Sequence, residues 1–209
     1  MPLPNLWAFS AITVPLVLTP GASTAVVFRN SLDGGRRAGV ETAVGVNAGS
    51  IAYGVLTAAG LSFVLQRWPH VVSVLRVSGM LYLAWLAWES FRDAWKGRPS
   101  RLRQGGAGAT AAQWRHNLSE GFMTNALNPS IAAFYLLIVP QFIPPGAPFA
   151  EMAFILTATH VTIAFTCHLA WALAGGTLAP VLDGPRASRL LHIAIGSAML
   201  GLALKVALA

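Results

Sequence analysis

Thr19-Pro20-Gly21-Ala22-Ser23 interrupts the first long apolar run of this chain, and Asn125-Ala126-Leu127-Asn128-Pro129-Ser130 interrupts the run that opens its second half. Proline lacks the N–H for the carbonyl four residues back and pushes that carbonyl away. Pro20 is therefore expected to free the Leu16 carbonyl, and Pro129 that of Asn125. In hydrocarbon a loose backbone dipole is costly, so such breaks persist where protein, water, ions or a substrate satisfy them. Paired breaks at corresponding positions of two halves point to a transport site near the membrane midplane.

Outward from the breaks, composition agrees. Of the 209 residues 55% are hydrophobic and only 10% charged, and the apolar residues come in runs near the ~20 needed to cross a ~30 Å hydrocarbon core. Six spans fit these runs, over residues 6–28, 40–65, 71–91, 118–140, 152–178 and 190–208. The expected fold is an all-α membrane protein of six transmembrane helices. It would form two inverted three-helix repeats, with helices 1 and 4 broken at proline. Residues 1–95 and 117–209 are the repeats, joined by a basic linker over 96–116. Pro129 follows Pro20 by 109 residues, about half the chain, and three spans per half reverse the second half's sense, as an inverted repeat requires.

Eleven of the fourteen basic residues fall on one side of these spans, among them Arg29, Arg36 and Arg37 in the first turn and Arg92, Lys96 and Arg115 around the linker. The positive-inside rule makes that side cytoplasmic and puts both termini outside. The net charge of +7 is thus explained by topology, without nucleic acid. The linker reads as a flexible connection, with anionic lipid heads as its alternative partner. A single cysteine, Cys167, excludes an internal disulfide and any two-thiol chemistry. The N-terminus has no basic n-region, so the first run reads as a retained span rather than a cleaved signal.

Several side chains suit a site at the breaks. Gly21 permits unusual backbone angles, and a half-helix starting near Ala22 offers free N–H groups to an anion such as a carboxylate. Thr19, Ser23 and Thr24 add hydroxyls. Asn125 and Asn128, three residues apart, fall on one helical face if the helix continues through them, and each carboxamide both donates and accepts. They equally suit gluing spans together. In the second span Ser50, Gly54 and Ala58 form a small-residue ridge favouring close helix packing, while Asn47 and Tyr53 reach toward the centre. Such ridges serve intra- and intermolecular contacts alike, which leaves a homo-oligomer open. Thr157, His160, Ala164, His168, Trp171 and Gly175 share one stripe of the fifth span. A deep histidine can relay protons, so His160 is the coupling candidate, with a neutral, hydrogen-bonded histidine as the alternative reading and the favoured one for His168. No metal-ligand spacing or cofactor motif is present, and an enzyme is not indicated. Asn117-Leu118-Ser119-Glu120 has capping-box spacing, giving Glu120 a structural task. Glu41 lies four residues after Arg37. No acid falls at the centre of an expected span, which favours neutral substrates. Asn128-Pro129-Ser130 also suits a passive channel for small polar solutes, the competing reading.

With these residues in view, the chain resembles the lysine-exporter (LysE/RhtB) family of bacterial amino-acid efflux proteins over essentially its whole length. TPGAS with GGRRAGVETAVGVNAGS is similar to the family's first-span P-G-P motif, Gly-Arg-Arg-Ala-Gly turn and glycine-rich second span. LRVSGMLYLAWLAWESFR resembles its third span, with Gly79 and Tyr82 in place, and SEGFMTNALNPSIAAFYLLIVPQFI its fourth-span signature. Ala22 stands where the second proline of P-G-P is usual, Ser23 where Asn or Asp is frequent, and Ser130 where many relatives carry lysine. The resemblance implies secondary active, ion-driven export of small amino acids or their derivatives through the bacterial inner membrane; on that reading Gly21, Ser23, Thr24, Asn125 and Asn128 would orient the substrate, while Pro20 and Pro129 maintain the breaks.

Overall fold

A computed structural model describes residues 4–18, 21–60, 69–96, 110–178 and 185–208. Every regular element among them is helical: α1 (Leu6–Leu18), α2 (Ala22–Ala58), α3 (Pro69–Lys96), α4 (Ala111–Ala126), α5 (Pro129–Ala133), α6 (Phe149–Leu178) and α7 (Pro185–Leu208). A π-turn over Phe134–Ile138 and a 3-10 turn over Val139–Phe142 extend α5. Prolines open α3, α5 and α7, where the missing N–H has no intrahelical acceptor to lose.

Helix α2 is two helices joined at a reversal. Gly35 has φ 78°, a left-handed conformation that a side chain resists. The chain folds back there, so that Asn30 meets Thr42 and a side chain on Gly39 would strike Ser31. The returning half of α2 is the centre of the molecule. It runs parallel to α4, through Gly121 on Thr42 and Gly49 on Asn125, and reaches the π-turn beyond α5 through Thr57 on Tyr135. It runs antiparallel to α6, through Gly39 on Ala172, Asn47 on His168 and Gly54 on Thr157. The Ser50–Gly54 ridge is thus a packing surface within the chain. Helix α3 packs on α7, with Phe91 over Gly196.

Two pairs of helices are bent rather than straight. The axes of α1 and α2 meet at 50°, and those of α4 and the segment Pro129–Phe142 at 56°. Only α6 among the described residues is by itself long and apolar enough to cross a membrane, and each bent pair reaches that standard when taken together. A shorter apolar stretch, His192–Leu204, lies within α7. The exterior is apolar on several helices, with Leu81, Leu137, Phe154 and Leu204 each at least half exposed, while Thr42, Asn47, Ser50, Asn125 and Thr157 are buried. Polar-in and apolar-out is the pattern of a bundle whose solvent is lipid.

Two readings of the sequence change here. Helix α4 begins at Ala111, ahead of residue 118, with Thr110 as N-cap accepting from the Gln113 amide. Asn117 and Glu120 are therefore interior, buried residues of α4 rather than its capping box. Arg29, expected in an exposed turn, is inside α2 and buried, because the chain reverses only at Gly35.

Candidate functional site

The first turn of α2 and the last turn of α4 meet in the interior. Ser23 Oγ donates to Asn125 Oδ1 at 3.1 Å, and Asn125 Nδ2 donates to Ser50 Oγ at 3.1 Å. One carboxamide, 1% exposed, thereby ties three helix segments together. Gly21 is the extended N-cap residue of α2 and offers no side-chain cap; Ala22, Ser23 and Thr24 behind it are all buried. A buried helix N-terminus without a capping side chain keeps N–H groups available to an anion. Thr19 and Pro20 lie outside the described residues, as do most of the linker and the end of the second expected span.

At the other bend the helix stops at Ala126 and restarts at Pro129, so Asn125 and Asn128 do not share a helical face. Asn128 is the N-cap of α5, its Oδ1 accepting from the Ser130 amide at 3.0 Å. The Asn125 carbonyl, expected to lose its partner to Pro129, accepts from the Asn128 amide at 3.0 Å. The Ala126 carbonyl accepts from the Tyr53 hydroxyl at 2.6 Å. Gly79 of α3 lies against the Leu127 carbonyl and the Pro129 ring, where any Cβ would collide with that carbonyl. The bend is thus satisfied by backbone and by α2, and braced by α3.

Further out, an aromatic layer closes over this junction. Tyr53 stacks on Tyr135 at 5.9 Å, and Phe9 packs on Phe134 at 5.7 Å. His160 sits between Phe134 and Tyr135, with ring centroids at 4.7 and 5.3 Å. Its Nδ1 is buried with no bonded partner among the described residues, and the Tyr135 hydroxyl is buried beside Ser50 and Thr157. His168 is different, facing Asn47 Nδ2 at 3.2 Å, and Asn47 also donates to the Ala43 carbonyl. The reach of Asn47 is therefore toward α6, away from the Ser23–Asn125 contact.

Toward Gly35 the interior turns ionic. Glu120 accepts from Arg29 and from Asn30, while Glu41 accepts from Asn117 at 2.8 Å and from the outward-facing Arg37 at 2.9 Å. The junction is thus bounded by charged groups on one side and aromatic groups on the other. Beside it, an apolar groove of about 550 Å³ between α1 and α6 is lined by Val14, Val17, Leu18, Cys167 and Trp171.

The LysE type translocator family matches residues 14–209. The chain belongs to that family. It is a translocator rather than an enzyme, and a membrane protein. An uncharacterized membrane protein, YahN of Escherichia coli strain K12, is 33% identical over 137 residues, covering 66% of this chain and 60% of YahN. Leucine efflux proteins of Salmonella choleraesuis and Salmonella paratyphi A are each 26% identical over 174 residues, covering 82% of this chain and 79% of theirs. No solved structure matches significantly. Sequence reading passed over the Arg29–Glu120 pair; the signal it left was an acid expected inside a cap and an arginine expected in a turn, 91 residues apart.

Proposed function

We propose that this chain is a secondary active exporter of small, neutral amino acids or their derivatives, moving them from the bacterial cytoplasm by alternating access coupled to protons. The observation that carries this reading is the Ser23–Asn125–Ser50 contact. It joins the first turn after one bend to the last turn before the other, the arrangement by which paired half-helices build a transport site. The substrate carboxylate would lie on the N–H groups of Ala22, Ser23 and Thr24, near Thr19, Pro20 and Gly21. Its ammonium would lie toward Asn125, Asn128 and Pro129, with Asn47 and His160 further along the interior.

The wider architecture in this proposal is six spans in two inverted repeats, in the inner membrane with both termini outside. The antiparallel approach of α2's first half to α4, Ser23 to Asn125 and Asn30 to Glu120, supports it. Names of two relatives make leucine the first substrate to try. Proteoliposomes holding the purified chain should move leucine uphill when a pH gradient is imposed. Flux that only runs downhill would instead favour a channel, and no amino-acid flux at all would sink the reading.

A further inference from the structure

Two buried acids among the described residues lie in the contact between the two bent pairs, Glu41 and Glu120, and of these Glu120 is the one paired with a buried arginine across it. It lies five residues before Asn125 on α4 and is 5% exposed. Its Oε1 accepts from Arg29 Nη2, and its Oε2 accepts from Asn30 Nδ2 at 2.7 Å. Arg29 and Asn30 follow Ser23 by six and seven residues on α2, and Asn30 also bonds Thr42 on the returning half at 2.9 Å. Any motion that parts α2 from α4 to open the junction must therefore pull on this pair.

A buried ion pair adds little stability over a well-packed apolar replacement, whereas a buried charge left alone is strongly unfavourable. Ionisable residues inside a membrane bundle consequently mark pathways of ions or protons. The surroundings of this pair meet what a proton exchange needs. On protonation Glu120 keeps a carbonyl oxygen for the Asn30 amide and loses only its attraction for Arg29. Arg29 keeps its charge and its bonds to Asn30 Oδ1 at 3.3 Å, and the field of Asp33 of α2, which faces His192 of α7, and of Glu89 of α3, which faces Arg92, also acts on it. The other groups facing Glu120 are His116 of α4, which is one turn back, and Tyr82 of α3, whose hydroxyl approaches the Glu120 carbonyl at 3.4 Å. His160, by contrast, is boxed by Phe134 and Tyr135, with His168 acting on it from the same helix. The other buried acid, Glu41, also meets α4, through Asn117, but its counter-charge is the mostly exposed Arg37 one turn back on its own helix, so parting α2 from α4 leaves that ion pair intact.

We infer that Glu120 is the proton-binding residue of the transport cycle and that Arg29 is its resting counter-charge. The carboxylate takes one proton from the outer solution as α2 and α4 part and releases it to the cytoplasm as they close and the ion pair re-forms, so that one proton moves inward against the outward-moving substrate. This assignment rests on the exporter reading above. It says which residue carries the coupling proton, and so which variant should transport without being driven.

The test uses the full chain in proteoliposomes. Wild type should exchange labelled for unlabelled leucine without a gradient and accumulate leucine under an imposed pH gradient. Glu120→Gln keeps the Asn30 contact and should retain exchange but lose the gradient-driven accumulation, while Glu120→Asp should recover it. His160→Gln, whatever its rate of exchange, should keep the wild-type ratio of leucine accumulation with and without the gradient. If Glu120→Gln fails to insert, the pair Arg29→Gln with Glu120→Gln removes both charges together and should show the same loss. Gradient-driven accumulation equal to wild type in either Glu120→Gln background overturns the assignment. Should wild type move no amino acid, the exporter reading fails by itself. Infrared titration then decides: a protonated-carboxyl band in wild type, absent from Glu120→Gln, supports the assignment, and its persistence in that variant overturns it.

Discussion

Asn125 holds three segments with one side chain, which makes it the sharpest test of the junction at the scale of a residue. Alanine there removes both bonds and leaves the Ser23 and Ser50 hydroxyls buried, a loss of about 1–3 kcal/mol. The expected outcome of Asn125→Ala is leucine flux cut by about tenfold or more with insertion preserved, such an energy corresponding to a decade in an equilibrium constant. Normal flux would make the carboxamide dispensable. Asn128→Ala is expected to be milder in its effect on the junction, since the Asn128 side chain caps α5 and, among the described groups, bonds only the Ser130 amide. A cap is worth about 1 kcal/mol, so thermal stability should fall while some driven flux survives. The sequence put these two asparagines together because a helix drawn straight through Ala126–Pro129 sets them on one face. What separates them is the stop between them, and proline spacing alone does not say on which residue a helix ends. Glu120 was misread for a similar reason: Asn117 and Glu120 have the spacing of a cap, and only the start of α4 at Ala111 shows that the cap is Thr110.

Elements that meet at glycine explain why the bends hold their angle. Gly79 lets α3 rest on the Leu127 carbonyl, just where the chain turns by 56°. A leucine there would have to displace backbone rather than the end of a flexible side chain, and overpacking of this kind costs about 1–3 kcal/mol. Gly79→Leu is expected to lower the melting temperature and to abolish driven leucine flux, whereas Gly201→Leu, with open space around it, should do neither. Equal behaviour of the two variants would remove the role given to α3. At this scale the run lengths and the prolines were a good guide to helix existence, since α3, α6 and α7 fall where apolar runs do. The reversal at Gly35 falls in the turn read between the first two spans, and what escaped the sequence is only that helix continues on both sides right up to that glycine. One further feature escaped the run lengths. The π-turn at Phe134–Ile138 precedes Pro140 and leaves no compositional trace.

Across the whole molecule the charges sort by depth, and that bears on orientation and on substrate. If the basic side is cytoplasmic, a cysteine in residues 96–116 should resist an impermeant thiol reagent in intact cells, and one in residues 144–148 should react, each in a Cys167→Ala background. The reverse pattern would invert the topology. Substrate charge follows from the interior. A zwitterion brings one carboxylate and one ammonium, which the α2 N-terminus and the carboxamides can meet without a spare acid. A lysine or arginine side chain brings a further positive charge, and leaving it unpaired away from water is costly. Glu120 stands within two turns of the junction, but Arg29 and Asn30 already occupy both of its oxygens. Glu41 is likewise engaged by Arg37 and Asn117. Leucine is therefore expected to be moved faster than lysine in the same vesicles, and faster lysine flux would overturn the neutral preference. The same reasoning predicts how the preference should change. Arg29→Gln leaves Glu120 with its Asn30 bond and no counter-charge, so a cationic side chain would gain the partner that wild type denies it. The ratio of lysine to leucine flux should rise in Arg29→Gln and return to the wild-type value when Glu120→Gln is added. A ratio that ignores both substitutions would mean that the substrate never comes within reach of this pair.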